Sequence, residues 1–201
     1  MHIKPDRCAG FSLLELLLAA GLGLLIVGTA SRALLGEQRW SSLLGERLLQ
    51  RQWLQRANSL IASDLRRGVA IAGPGSCPLR GREPVLQILH GDGSSTTYSV
   101  GPAPSPIWRG WVLMRCGQAF GLDGQVNAAA KPQNRVVLDG LDPQPDPWQG
   151  CALPEADALA GSEGLPLAVC HEPTTQLLQW QLRLRVGKQR LQGGGSALLN
   201  G

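Results

Sequence analysis

A carboxylate set inside an apolar run constrains this chain more than any other feature. Residues 11–30 read FSLLELLLAAGLGLLIVGTA, apolar throughout except for Ser12, Glu15 and Thr29. As a helix the run would extend roughly 30 Å at about 1.5 Å per residue, the thickness of a bilayer's hydrocarbon core. Lys4 and Arg7 precede it, so the positive-inside rule places residues 1–10 in the cytoplasm and the chain after Arg32 outside. A carboxylate in such a helix costs on the order of 2.5–3.5 kcal/mol on insertion scales. Residues of this kind are as a rule functional and paired. Glu15 therefore needs a partner.

Three ordinary readings of the run explain less. A secretory signal peptide carries a shorter apolar core and then a small-residue cleavage site; Gly28-Thr29-Ala30 could be forced into that role, but Glu15 inside the core argues against it. A lipoprotein signal places its cysteine after the run, whereas Cys8 precedes it. A plain signal anchor gives no reason for Glu15.

The hexapeptide Gly10-Phe11-Ser12-Leu13-Leu14-Glu15, between a short basic leader and a long apolar segment, resembles the class III signal of type IV pilins and pseudopilins. The resemblance implies that prepilin peptidase, an aspartyl protease of the inner membrane, cuts between Gly10 and Phe11 and methylates the amine of Phe11. It also implies that Glu15 pairs with the Phe11 amine of a neighbouring subunit, two opposite charges in low dielectric relieving each other's desolvation. Many major pilins carry a proline about two-thirds along this segment, and here there is none. Gly21, Gly23 and Gly28 weaken the helix instead, each by about 1 kcal/mol relative to alanine. Ala19 and Gly23 equally form a small-xxx-small face for close helix contact.

Beyond the run, residues 32–67 contain no proline, and apolar residues recur at helical spacing: Leu34, Trp40, Leu44, Leu48, then Trp53, Ala57, Leu60, Ile61 and Leu65. Glu37, Glu46 and Asp64 alternate with arginines and suit a solvated face. Trp40 and Trp53 are expected in the core or at a subunit contact. Gly68, with Gly73-Pro74-Gly75 after it, ends the helix. Short strands follow: 84–90 and 96–100 about the turn Gly91-Asp92-Gly93, then 111–116, 135–138 and the strongly alternating 177–186, with a short partner at 190–192. The segment Asp64-Leu65-Arg66-Arg67 and the succession TTYSV, LMRC, RVVLDGL, LRLRV resemble PilW-type minor pilins and J-type minor pseudopilins.

The expected fold class is therefore α+β and pilin-like, a long N-terminal helix (membrane half plus amphipathic half) packed on an antiparallel β-sheet. The expected organisation is a cleaved leader at 1–10, a transmembrane or filament-core half of the helix at 11–30, and its amphipathic half at 31–68. A globular antiparallel β domain at 69–192 and a flexible tail at 193–201 complete it, the tail holding too little apolar content to pack.

Cysteine usage fits an oxidising compartment. Cys77, Cys116, Cys151 and Cys170 are an even set without a C-x-x-C pair, which reads as two disulfides rather than zinc ligands. Four cysteines allow three pairings, and the shorter loops favour Cys77–Cys116 and Cys151–Cys170.

No catalytic constellation is visible. His90 abuts a turn, and in Cys170-His171-Glu172 neighbouring side chains on an extended chain point to opposite sides. Asp139, Asp142 and Asp146 lack EF-hand spacing. The net charge of +4 is scattered, unlike the dense basic stripe of a nucleic-acid binder. No cofactor or metal is implied, and the chain is not expected to be an enzyme.

The resemblance implies a structural minor pilin or pseudopilin, in the priming or tip complex of a type IV pilus, secretion pseudopilus or DNA-uptake filament. It would be a single-pass inner-membrane protein with its C-terminal domain exported, later part of a surface or periplasm-spanning filament. Its partners would be prepilin peptidase, other pilin or pseudopilin subunits, the inner-membrane assembly platform and membrane lipid. The alternative is an exported adhesin or ligand-binding module on the same anchor. In that case Trp108-Arg109-Gly110-Trp111 is the candidate patch and nucleic acid the remoter ligand.

Overall fold

The structure, a computed structural model, describes residues 12–73, 81–121, 125–127, 129–146, 148, 150–151, 156–159, 162, 164–187 and 189–200, and excludes the helix side chains at 30 and 33–44. Two compact units are distinguished, Met1–Leu49 and Gln50–Gly201.

Helix α1 runs Leu13–Arg67. Ser12 caps its start, its Oγ accepting from the Glu15 amide at 3.2 Å, and Glu15 in the first turn complements the positive end of the helix dipole. In the first unit the described apolar side chains of α1 are exposed, Leu13 at 77 % and Leu24 at 74 % among them. No helix among the described residues is long and apolar enough to cross a membrane. The transmembrane expectation for 11–30 thus finds no support in the described part of the helix, and Phe11 lies outside it.

The second unit is dominated by an antiparallel sheet, nine-stranded among the described residues. Its strands are β1 (Gly68–Ala72), β2 (Glu83–His90), β3 (Ser95–Pro102), β4 (Trp111–Gly117), β5 (Gln133–Leu141), β6 (Asp157–Ala158), β7 (Leu167–Glu172), β8 (Leu177–Val186) and β9 (Gln189–Leu198). The first five follow one another as a meander. Strand β8 organises the rest, with β7 and a single β5 bridge (Leu141 to Leu184) beside it and all of β9 paired to it.

This corrects the expected fold. A long helix laid along a sheet is not what the structure shows. The body is mostly sheet, and α1 adds to its core only Leu54, Ala57, Ile61 and Leu65, about three turns. These positions follow the i, i+3, i+7, i+11 spacing of one helix face. The stripe is rotated from the expected one: Leu54 is buried, whereas Trp53 is 44 % exposed and Leu48 lies open. Trp40 lies outside the described side chains.

The tail is a second correction. Residues 193–198 are not flexible but continue β9, paired with β8 from Gln189–Val186 to Leu198–Leu177. Glycine makes this possible. A Cβ at Gly193 would lie 2.7 Å from the Leu54 side chain, and one at Gly195 would lie 2.8 Å from the Trp180 ring. The glycines let β9 pass close over the core, and Ala197 and Leu199 then bury their own side chains there.

Candidate functional site

The site expected from sequence sits at the start of α1. Glu15 is exposed one turn into the helix. Its spacing from Ser12 is that of a capping box, S-x-x-E, of which the structure contains the Ser12 half. A glutamate here thus also has a local reason. Gly10 and Phe11, the two sides of the expected cut, lie outside the described residues.

The most developed polar cluster lies at the other end of the helix. Asp64, expected on a solvated face, is fully buried, because it follows Ile61 by three residues and so faces the sheet. In strands β3 and β4, Tyr98 and Arg115 stand directly opposite each other in register, so both side chains project from one face toward Asp64. Arg115 binds the carboxylate bidentately, Nε to Oδ2 at 2.6 Å and Nη2 to Oδ1 at 3.0 Å. The Tyr98 hydroxyl donates to Oδ2 at 2.6 Å, and Arg67 adds a bond from the last turn of α1. Arg115 also donates to the Gln118 carbonyl at 2.8 Å, and its guanidinium lies 4.9 Å from the centre of the Phe120 ring. His90 Nε2 joins through Thr96 Oγ1 at 2.8 Å.

Burial alone would raise the Asp64 pKa, but the hydrogen bonds and charge of Arg115, with Tyr98 and Arg67, outweigh it and hold the carboxyl below its usual value. Burial, then the Asp64 charge, pushes the Tyr98 phenol well up. For Arg115, burial pulls the other way, and bonding to Asp64 prevails to keep its pKa raised. All three are thus locked in one protonation state around neutrality. The cluster is a buried tie, and a hollow of about 290 Å³ lined by Ala57, Leu60, Arg115, Gly117 and Phe120 adjoins it. The tie fixes the end of α1 onto the sheet.

The cysteines divide by what is described. Cys151 and Cys170 are bonded, with Cα atoms 5.8 Å apart. Cys116 is disulfide-bonded as well, and Cys77 lies outside the described residues. Trp108-Arg109-Gly110-Trp111 is built into the sheet margin: the Arg109 amide donates to Asp139 at 3.2 Å, the Arg109 carbonyl accepts from Gly140, and Trp111 opens β4. Asp142 and Asp146 both face Arg190. No group of three potential metal ligands gathers among the described residues.

No protein-family model, curated protein or solved structure matches the chain.

Sequence reasoning missed the Asp64 cluster. The available signal was an acidic residue in register with Ala57, Ile61 and Leu65 on one helix face, together with an arginine at an inward position of the LMRC strand. A lone carboxylate on an apolar helix face needs an inward cation.

Proposed function

We propose that the chain is a structural subunit of a type IV-class filament, a minor pilin or pseudopilin of the priming or tip complex. It would be processed by prepilin peptidase between Gly10 and Phe11 and assembled through the amino-terminal part of α1. The observation that carries the reading is the exposure of nearly every described large apolar side chain from Leu13 to Val27. A soluble monomer rarely presents an apolar surface of this extent, and this one has to be covered. The glycines at 21, 23 and 28 have open space where a Cβ would stand, which suits close approach by another helix. Neighbouring subunits supply that cover in a filament, and membrane lipid supplies it before assembly. Glu15, the one charge in the stretch, then meets the amine created by the cut.

Mass spectrometry of the mature protein tests this. The expected terminus is N-methylated Phe11, and Glu15→Val is expected to leave processing intact while abolishing incorporation into filaments. An intact Met1, a terminus near Ala30, or normal assembly of Glu15→Val would overturn the reading.

A further inference from the structure

A broad groove lies on the sheet face turned away from the core. Alternation sends Gln179, Gln181 and Arg183 of β8 outward, and the register sets Ser196, Gly194 and Gln192 of β9 opposite them. Pro145, Asp146, Trp148 and Gly150 stand beside this floor. The Cys151–Cys170 disulfide holds that wall in place. Cys170 is the register partner of Gln179, so it projects from the same outward face, and its bond to Cys151 pins the residue next to Gly150 there. The groove encloses about 500 Å³ and continues past Trp148 into a second hollow of about 450 Å³.

Charge within the groove cancels. Asp142 is paired with Arg190 at 3.1 Å, Asp146 pairs with the same arginine, and the Asp146 carbonyl accepts from Arg183. Arg183 is further held by the Gln181 amide oxygen, Nη2 to Oε1 at 3.2 Å. Gln181 Nε2 donates to Gln192 Oε1 at 3.5 Å, so what the groove still offers is neutral: the Trp148 indole, the remaining N–H groups of Gln179, Gln181 and Gln192, and the Ser196 hydroxyl. The Gln179 Oε1 is buried beneath the floor with no partner among the described residues, and so is closed to a ligand. Gly194 leaves the middle of the floor bare, and a Cβ there would come within 2.1 Å of the Trp180 carbonyl oxygen.

An amide N–H donates to the oxygen of a hydroxyl group. An indole accepts the C–H face of a sugar ring while its surroundings remain wet. An anion would find both arginines already engaged, and an apolar ligand would leave the glutamine N–H groups and the Ser196 hydroxyl unsatisfied. We propose that this groove binds a neutral saccharide chain, with Trp148 as the stacking platform and the remaining N–H groups of Gln179, Gln181 and Gln192, with the Ser196 hydroxyl, as partners of its hydroxyls. The assignment goes beyond the filament reading and stands without it, since it uses only the sheet and its stapled wall.

The test is a glycan array of neutral, sialylated and sulfated oligosaccharides probed with the full chain in a phosphocholine detergent, which has no sugar headgroup. Calorimetry on the strongest neutral ligand follows. Binding to neutral glycans is expected, with Trp148→Ala and Gln181→Met each weakening it about tenfold or more and Arg135→Ala, away from the groove, leaving it unchanged. Should Trp148→Ala fail to fold, Gln181→Met decides alone. Binding confined to acidic glycans, no neutral glycan above background, or wild-type affinity in Gln181→Met would overturn the proposal. Because N-terminal processing is measured separately, either result can fail while the other stands.

Discussion

Replacing Asp64 by asparagine keeps the side chain's size and removes its charge. Arg115, 6 % exposed, would lose its ionic partner and keep only the Gln118 carbonyl, a long 3.5 Å contact to Thr96 and the Phe120 ring. Removing one member of a buried ion pair costs about 3–5 kcal/mol, because the other charge stays buried without compensation. The asparagine oxygen still accepts from Tyr98, which places Asp64→Asn toward the lower end, about 3–4 kcal/mol. The double variant Asp64→Leu/Arg115→Met removes both charges and retains volume. Its remaining cost is an unsatisfied Tyr98 hydroxyl, about 1–3 kcal/mol.

The costs of Asp64→Leu and Arg115→Met, made singly, should therefore not add, and the double-mutant cycle they form should return a coupling of at least about 2 kcal/mol. For a unit of this size each kcal/mol lowers Tm by about 2–4 °C, so Asp64→Asn should melt roughly 6–16 °C below wild type. Urea and thermal unfolding of the full chain, read by circular dichroism with both disulfides intact, measures this. A loss under about 1 kcal/mol, or a double variant equal to the sum of the singles, would refute the view of this cluster as a buried tie.

The same cluster fixes two pH limits. The folded pKa of Asp64 lies below its ordinary 3.8, so the unfolded chain binds more protons in acid; stability from this group is complete above about pH 4 and is lost as pH falls further, and Asp64→Asn should flatten that limb. The Tyr98 pKa lies well above its ordinary 10.0, so its contribution is complete below about pH 10 and declines as pH rises beyond it, a decline that Tyr98→Phe should remove. Gly194→Ala should cost about 1–3 kcal/mol, since its Cβ meets backbone that cannot rotate away, and β9 amides should exchange faster. Gly164→Ala, with open space around it, is the control expected to change little.

The alternating stretch at 177–186 was legible and forms β8 over the same residues, because one apolar face and one polar face leave a period of two in the sequence. Strand β7 was not legible. Leu167 to Cys170 are all buried, the inner side chains by the core and Cys170 by its disulfide, and such a run has no period to read. The segment at 190–192 was read as a partner of β8, but the rest of β9 escaped for the opposite reason. Its fit depends on missing side chains at Gly193 and Gly195, and a reading based on apolar content registers glycine as nothing to pack. Asp64 was hidden by its own polarity, since charge was taken as a sign of water when the partner that offsets it lay 51 residues away. The groove was less visible still. It exists only when residues near 148, 181 and 194 meet, and no local pattern links them.

The closing pair of β9 has a consequence for how the body is made. Leu199 donates to Gln176 and Asn200 to Gly68, so the last residue described is tied to the first residue of β1. A chain emerging from the ribosome holds β1 to β8 for some time without the strand that covers Trp180 and Leu54. Contacts between residues this far apart in sequence form late and slowly, and until they do, part of the core remains open. A chain without β9 would leave the Trp180 and Leu54 side of the core uncovered.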